Sequence, residues 1–161
     1  MPNWISEWFA ARRSDPPQSL TFKGHRRIVA PIHVAIFEVD ATRGFTLYVT
    51  TRRIGPPLES ETVFGLVNYP VPPELKPFLG GASPPAKSDL DPEAVIYVGF
   101  HDRPSKVACK IVNVEGHYAD FELSFKMNDL QYYDERARPT DVTGKFRARL
   151  GSWSEMERMP I

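Results

Sequence analysis

Four residues of the types that bind metal in β-barrel enzymes are His33, Glu38, His101 and Asp102. A jelly-roll metal site needs two or three imidazoles and a carboxylate that converge inside the barrel. His33 and Glu38 are five positions apart, so on a regular strand they face opposite sides of the sheet unless a bulge intervenes. No histidine forms a short zinc motif with another histidine or with Cys109. We therefore expect no metal site and no cofactor.

The single cysteine, Cys109, is the residue type of a thiol nucleophile, and His101 or His117 is the residue type of its base. Its neighbours at strand spacing, Val107 and Ile111, are both apolar, which is typical of an inert buried thiol. The sequence contains no nucleophile-elbow serine and no glycine-rich loop that precedes a helix. The pattern favours a protein without catalytic residues.

Residues 88–93 concentrate three carboxylates, on Asp89, Asp91 and Glu93. Calcium takes six to eight oxygen ligands, and loop carboxylates often supply them. The spacing lacks the twelve-residue calcium-loop pattern, and an aspartate before Pro92 more simply caps a turn. We interpret this segment as a turn.

A basic cluster lies near the end of the chain, and it comprises Arg136, Arg138, Lys145, Arg147 and Arg149. It is suited either to an acidic partner or to ion pairs with the acids of a neighbouring strand. We predict that residues 118–126 and 144–150 are antiparallel neighbours whose paired residue numbers sum to 269. That register places Asp120 opposite Arg149 and Glu122 opposite Arg147, and it favours the ion pairs.

Nine of the sixteen prolines lie in the crossover at residues 54–92. Proline lacks the N–H that a strand ladder needs, so much of this connection cannot join a sheet. Residues 70–77 have the composition of a polyproline II segment that a partner could bind through Pro72 and Pro73. The pattern favours the alternative, a rigid surface crossover between sheets.

The remaining pattern predicts strands, because alternation rather than helical spacing governs most of the chain. The predicted strands are residues 28–40, 45–50, 62–69, 94–101, 106–114, 118–126 and 144–150, with further alternation from Leu20. Arg43 and Gly44 supply a hairpin turn between the first two of these strands. Asn3 caps a short amphipathic helix that carries Trp4, Ile5, Trp8 and Phe9, and residues 128–138 are compatible with one or two helical turns.

This organisation predicts a mainly β fold, an antiparallel β-sandwich or jelly-roll-like barrel with a short N-terminal helix, in one domain spanning residues 1–161. An α+β roll is the alternative. The chain has 161 residues, with 20 Lys and Arg against 20 Asp and Glu, so no net charge draws it to nucleic acid. We expect no membrane span and, from the lone cysteine and the absence of a secretory pattern, a cytoplasmic location.

With no catalytic motif recognised, the sequence favours a non-catalytic protein-binding module that uses exposed loops and the basic strand. Toxin-neutralising immunity proteins and assembly accessory factors are examples of this class. The candidate partner-binding residues are Arg136, Arg138, Arg147, Arg149, Pro72 and Pro73. One alternative is a metal-dependent jelly-roll enzyme. The other is a small-ligand carrier whose apolar cavity is lined by Tyr48, Tyr97, Phe100 or Trp153.

Overall fold

The computed structural model describes residues 18–24, 26–53, 61–81, 92–98, 101–128 and 139–152, with His101 described by its backbone alone. The expected N-terminal helix, the acidic segment 88–91 and the helical turns from residue 129 lie outside these residues. Among the residues that the structure describes, no helix has the length and apolar character needed to cross a membrane.

Nine strands and one 3-10 helix make up the described fold. The strands are β1 (Ser19–Lys23), β2 (Arg27–Asp40), β3 (Gly44–Thr51), β4 (Val63–Tyr69), β5 (Glu93–Tyr97), β6 (His101–Asp102), β7 (Ser105–Glu115), β8 (Tyr118–Met127) and β9 (Thr140–Leu150). The 3-10 helix is Pro73–Leu79. The prediction of a mainly β chain is confirmed.

All nine strands belong to one sheet, in the order β6-β5-β4-β3-β2-β1-β9-β8-β7. The ladders are antiparallel, except that β2 and β9 also pair in parallel where Ile36 faces Arg149 and Phe37 faces Leu150. The sheet curls into a half-barrel. The structure does not confirm the sandwich or the jelly roll, because hydrogen bonds join the strands into a single sheet rather than two stacked sheets.

The core fills the inside of the curl with phenylalanine side chains from both halves of the sheet. Phe64 of β4 stacks on Phe125 of β8, with ring centroids 4.6 Å apart. Phe121 of β8 contacts Phe37 and Phe45, at centroid distances of 5.7 and 6.0 Å. On β8, buried and more exposed side chains alternate, so this strand packs one face against the core.

The hairpin predicted between β2 and β3 is confirmed. The Asp40 carboxylate accepts hydrogen bonds from the backbone N–H groups of Thr42 and Arg43, at 2.7 and 2.8 Å. These bonds lower the pKa of Asp40, because they favour its ionised form. Gly44 follows the turn with φ at +92°, a conformation that side-chain-bearing residues rarely adopt.

The predicted pairing of β8 with β9 is confirmed, but the predicted register is wrong. The observed residue numbers sum to 267, so Asp120 faces Arg147 and Glu122 faces Lys145. A shift of two residues keeps every side chain on its predicted face. It also sets Phe121 against Phe146, with centroids 5.8 Å apart, instead of against an alanine.

The single strand predicted at residues 94–101 is also wrong. β5 ends at Tyr97 and the chain folds back, so that Tyr97 pairs with His101 and Ile96 with Asp102. The Asp102 carboxylate then accepts hydrogen bonds from the backbone and side-chain amides of Asn128, at 2.8 and 3.1 Å. These bonds tie one edge of the sheet to the end of β8, next to the short connection into β7.

Candidate functional site

Arg147 of the basic cluster is held by two carboxylates. Its Nε lies 2.8 Å from Asp120 Oδ1, and its Nη2 lies 3.1 Å from Asp120 Oδ2 and 3.2 Å from Glu115 Oε2. The hydrogen bonds from Arg147 lower the pKa of Asp120, and those to Asp120 raise the pKa of Arg147. Both pKa shifts show that the pair favours the ionised form of each of its two side chains. The Arg147 charge is therefore compensated within the sheet.

The other basic residues divide between the sheet and the undescribed part of the chain. Lys145 Nζ lies 3.6 Å from Glu122 Oε1, and Arg149 donates a hydrogen bond to the Leu150 carbonyl at 3.2 Å. Arg136 and Arg138 lie outside the described residues. The structure thus places the acidic residues of β8 beside Lys145 and Arg147 of β9, as the predicted pairing of these two strands requires.

Pro72 precedes the 3-10 helix in an extended conformation, and Pro73 is the first residue of the helix. The polyproline II prediction is therefore wrong from Pro73 onward, and the fully buried Leu75 anchors the helix to the core. Phe78 packs edge-on against Phe37, with ring centroids 5.5 Å apart. The segment therefore resembles the rigid crossover more than an exposed proline ligand.

Within the described residues, the candidate metal ligands do not form a metal site, and Cys109 lacks the properties of a nucleophile. His33 lies at a β-bulge between Ile32 and Val34, but no group of three His, Cys, Asp or Glu residues forms within the described ranges. Burial raises the pKa of the Cys109 thiol to about 12, so the thiol is protonated at neutral pH.

Of the four residues proposed to line a ligand cavity, the two that the structure describes, Tyr48 and Tyr97, do not line the inside of the curl. Tyr48 lies on the outer face, with its ring beside Gly65 on β4. Tyr97 is 39% exposed, and Phe100 and Trp153 lie outside the described residues. The inner face is occupied instead by the stacked phenylalanine rings of the core.

Strand β7 forms one edge of the sheet. It is eleven residues long, and it pairs with β8 on one side, while no described strand pairs with its other side. The 3-10 helix approaches β7, but no backbone hydrogen bond joins the two in the described chain. A strand of this length with one open edge presents a row of N–H and C=O groups to which another strand can bind.

The end of β7 and the start of β8 expose apolar side chains. Val112 is 56% exposed, Val114 is 36% exposed and Tyr118 is 44% exposed. Val112 lies at a bulge between Ile111 and Asn113, which turns its side chain out of the ladder. These three exposed side chains lie near one end of the open edge, with Val114 and Tyr118 on opposite faces of the sheet, because Val114 faces Ala119 and Tyr118 faces Glu115.

The outer face next to β7 carries aligned rows of side chains across the strands. One row runs through Ser19, Lys145, Glu122 and Lys110, and the adjacent row runs through Thr21, Thr143, Ser124 and Ala108. The small side chains of the second row leave a groove of about 670 Å³ that these residues line. Lys110 and Ala108 of β7 therefore line both the open edge and this groove.

Sequence reasoning missed this edge, because alternation predicts a strand but not its place in the sheet. One signal was present: Lys106 and Lys110 interrupt an apolar strand, and lysine is a residue that proteins place on edge strands. No protein-family model matches the chain, and no curated protein or solved structure is significantly similar to it.

Proposed function

We propose that the protein is a non-catalytic protein-binding module of the cytoplasm that adds an extended segment of its partner to β7. The observation that supports this proposal is the open hydrogen-bonding edge of β7. In strand addition, the main-chain hydrogen bonds supply affinity, while the side chains that flank the edge supply specificity.

The opposite edge of the sheet is less suited to this role. Strand β6 has only two residues and β5 has five, so that edge offers a short ladder. Strand β7 has eleven residues, which two bulges divide into shorter stretches, and the exposed side chains of Val112, Val114 and Tyr118 supply apolar surface that a partner can bury.

We place the partner at β7 rather than at the basic cluster. Arg147 and Lys145 already contact carboxylates, so a partner would have to compete with these ion pairs. Binding through Arg136, Arg138, Arg149, Pro72 and Pro73 stays a prediction, and so does the cytoplasmic location.

The test is a selection of displayed random peptides on the whole protein, followed by amide hydrogen exchange of the protein with each selected peptide. We expect the outward N–H groups of β7 to exchange rapidly in the free protein and to become protected in the complex. N-methylation of the peptide backbone should abolish this protection, because it removes the donors of the ladder. Selected peptides that protect other strands and leave β7 unchanged would refute the proposal.

Two matched variants control for general surface effects. Val112→Asn removes an exposed valine next to the open edge, and Val29→Asn removes a 40% exposed valine on the interior strand β2. We expect Val112→Asn to weaken binding and Val29→Asn to leave it unchanged. Equal losses in both variants would contradict binding at β7.

A further inference from the structure

The open edge of β7 is regular over only a short stretch, which limits what can bind there. Register shifts occur between Ser105 and Ala108 and between Ile111 and Asn113. Bulges disrupt ladder pairing, so the longest uninterrupted stretch of the edge is residues 108–111. On the proposed function, the partner contributes a correspondingly short strand.

The outward side chains of this stretch define the charge that its partner should carry. Lys110 faces Glu122, which in turn faces Lys145, so charges alternate along the row toward the open edge. An added strand would place its next residue beside Lys110. Opposite charges across a strand pair are stabilising and like charges are destabilising, so an acidic residue fits this position.

The inward side chains of the same stretch are apolar. Cys109 faces Leu123 and Ile111 faces Phe121, both of which belong to the core. Cys109 and Ile111 thus mark the margin of the core at the open side of the half-barrel. An added strand would continue this margin with apolar side chains, since uncompensated polar groups there would lose their hydration.

A second copy of this chain fits the edge less well. Two β7 strands related by a two-fold axis pair antiparallel with residues of the same face opposite each other. Within residues 108–111, the two Lys110 side chains then lie either opposite each other or two positions apart. At that spacing they repel, because the separation is below the screening length of about 8–10 Å.

We infer that the segment bound by β7 is a short extended strand with an apolar–acidic–apolar pattern, its acidic residue beside Lys110 and its apolar residues beside Cys109 and Ile111. This inference rests on the proposed function and specifies the chemistry of the partner. The lysine that opposes self-association is also the residue that selects an acidic partner.

The experiment compares two capped peptides of equal length, one alternating valine with glutamate and the other alternating valine with lysine. We expect the glutamate peptide to bind at least about fivefold more tightly and to protect the amides of β7, since one attractive contact replaces one repulsive contact. Lys110→Glu should reverse the preference. Lys145→Glu is the matched control, because it changes the same charge in the same row two strands further from the edge, and it should preserve the preference.

Equal binding of the two peptides, or tighter binding of the lysine peptide with protection of β7, would overturn the inference and leave strand addition intact. Protection of β7 by self-association, detected as a concentration-dependent dimer without peptide, would overturn it in favour of a second copy. Failure of both these peptides and the selected peptides to protect β7 would refute the proposed function itself.

Discussion

The pairing of Asp120 with Arg147 predicts that exchanging the two charges preserves stability, whereas either single reversal does not. Asp120→Arg removes a bidentate ion pair and places two guanidinium groups opposite each other. Arg147→Asp places a carboxylate beside Asp120 and Glu115. The double variant restores opposite charges on the same two positions.

The magnitude follows from the geometry and the exposure of the pair. The Nε–Oδ1 distance is 2.8 Å, and the side chains of Arg147 and Asp120 are 37% and 34% exposed. Solvent screens a pair of this exposure, so the pair contributes about 1 kcal/mol, at the upper end of the range for surface ion pairs. With a similar repulsion added, each single reversal should cost about 1–2 kcal/mol, and the double variant should recover most of it.

The assay is thermal unfolding of the four proteins, in which 1 kcal/mol corresponds to about 2–4 °C in a chain of this size. The lowered pKa of Asp120 implies that the pair contributes fully above the ordinary value of about 4 and is lost as the pH falls through the lower folded-state value. Repeating the cycle in acid should therefore reduce the coupling. Additive effects at neutral pH would refute the reasoning, and rescue of Glu122→Arg by Arg147→Glu would indicate the register with sum 269.

Three further results are expected. Phe121→Ala should destabilise the protein by about 3–5 kcal/mol in urea unfolding, because three other rings contact Phe121, and Val29→Ala is the exposed control. Gly44→Ala should cost about 1–3 kcal/mol in the same assay, because its φ of +92° is strained for alanine, and an unchanged midpoint would contradict this. Cys109 should react with a thiol reagent far faster in denaturing urea than in the folded protein, since its pKa of about 12 leaves about one thiol in ten thousand ionised at about pH 8; equal rates would show that it is not buried.

Local pattern predicted the strands well where buried and more exposed side chains alternate, as they do on β8. The alternation of Phe121, Leu123 and Phe125 with Asp120 and Glu122 indicated both the strand and the face that it buries. The same alternation could not distinguish the registers with sums 267 and 269, since both keep each side chain on its face. Packing of Phe121 against Phe146 decides between them, and that contact depends on two strands at once.

The order of the strands and the candidate site could not be predicted from the local sequence pattern. Nothing in the spacing of residues 94–101 signals that the chain reverses after Tyr97, because the apolar run continues through the turn. The buried role of Leu75 was likewise hidden, since proline composition predicts an extended segment whatever lies beneath it. The open edge of β7 could be identified only from the order of the described strands, because it depends on β7 having no described partner strand on one of its two sides.

The position of β9 has a consequence for the order in which the chain can fold. Strand β9 pairs with β8, β1 and β2, and its partner residues in β1 and β2 precede it by more than one hundred positions in the sequence. Before β9 forms, no ladder connects the β7–β8 hairpin with the block of strands β1 to β6. Closing so long a loop is entropically costly, and contacts of this separation slow folding. Residues 140–150 are synthesised after every other described strand, so a ladder can join the two parts of the described sheet only once β9 has been made.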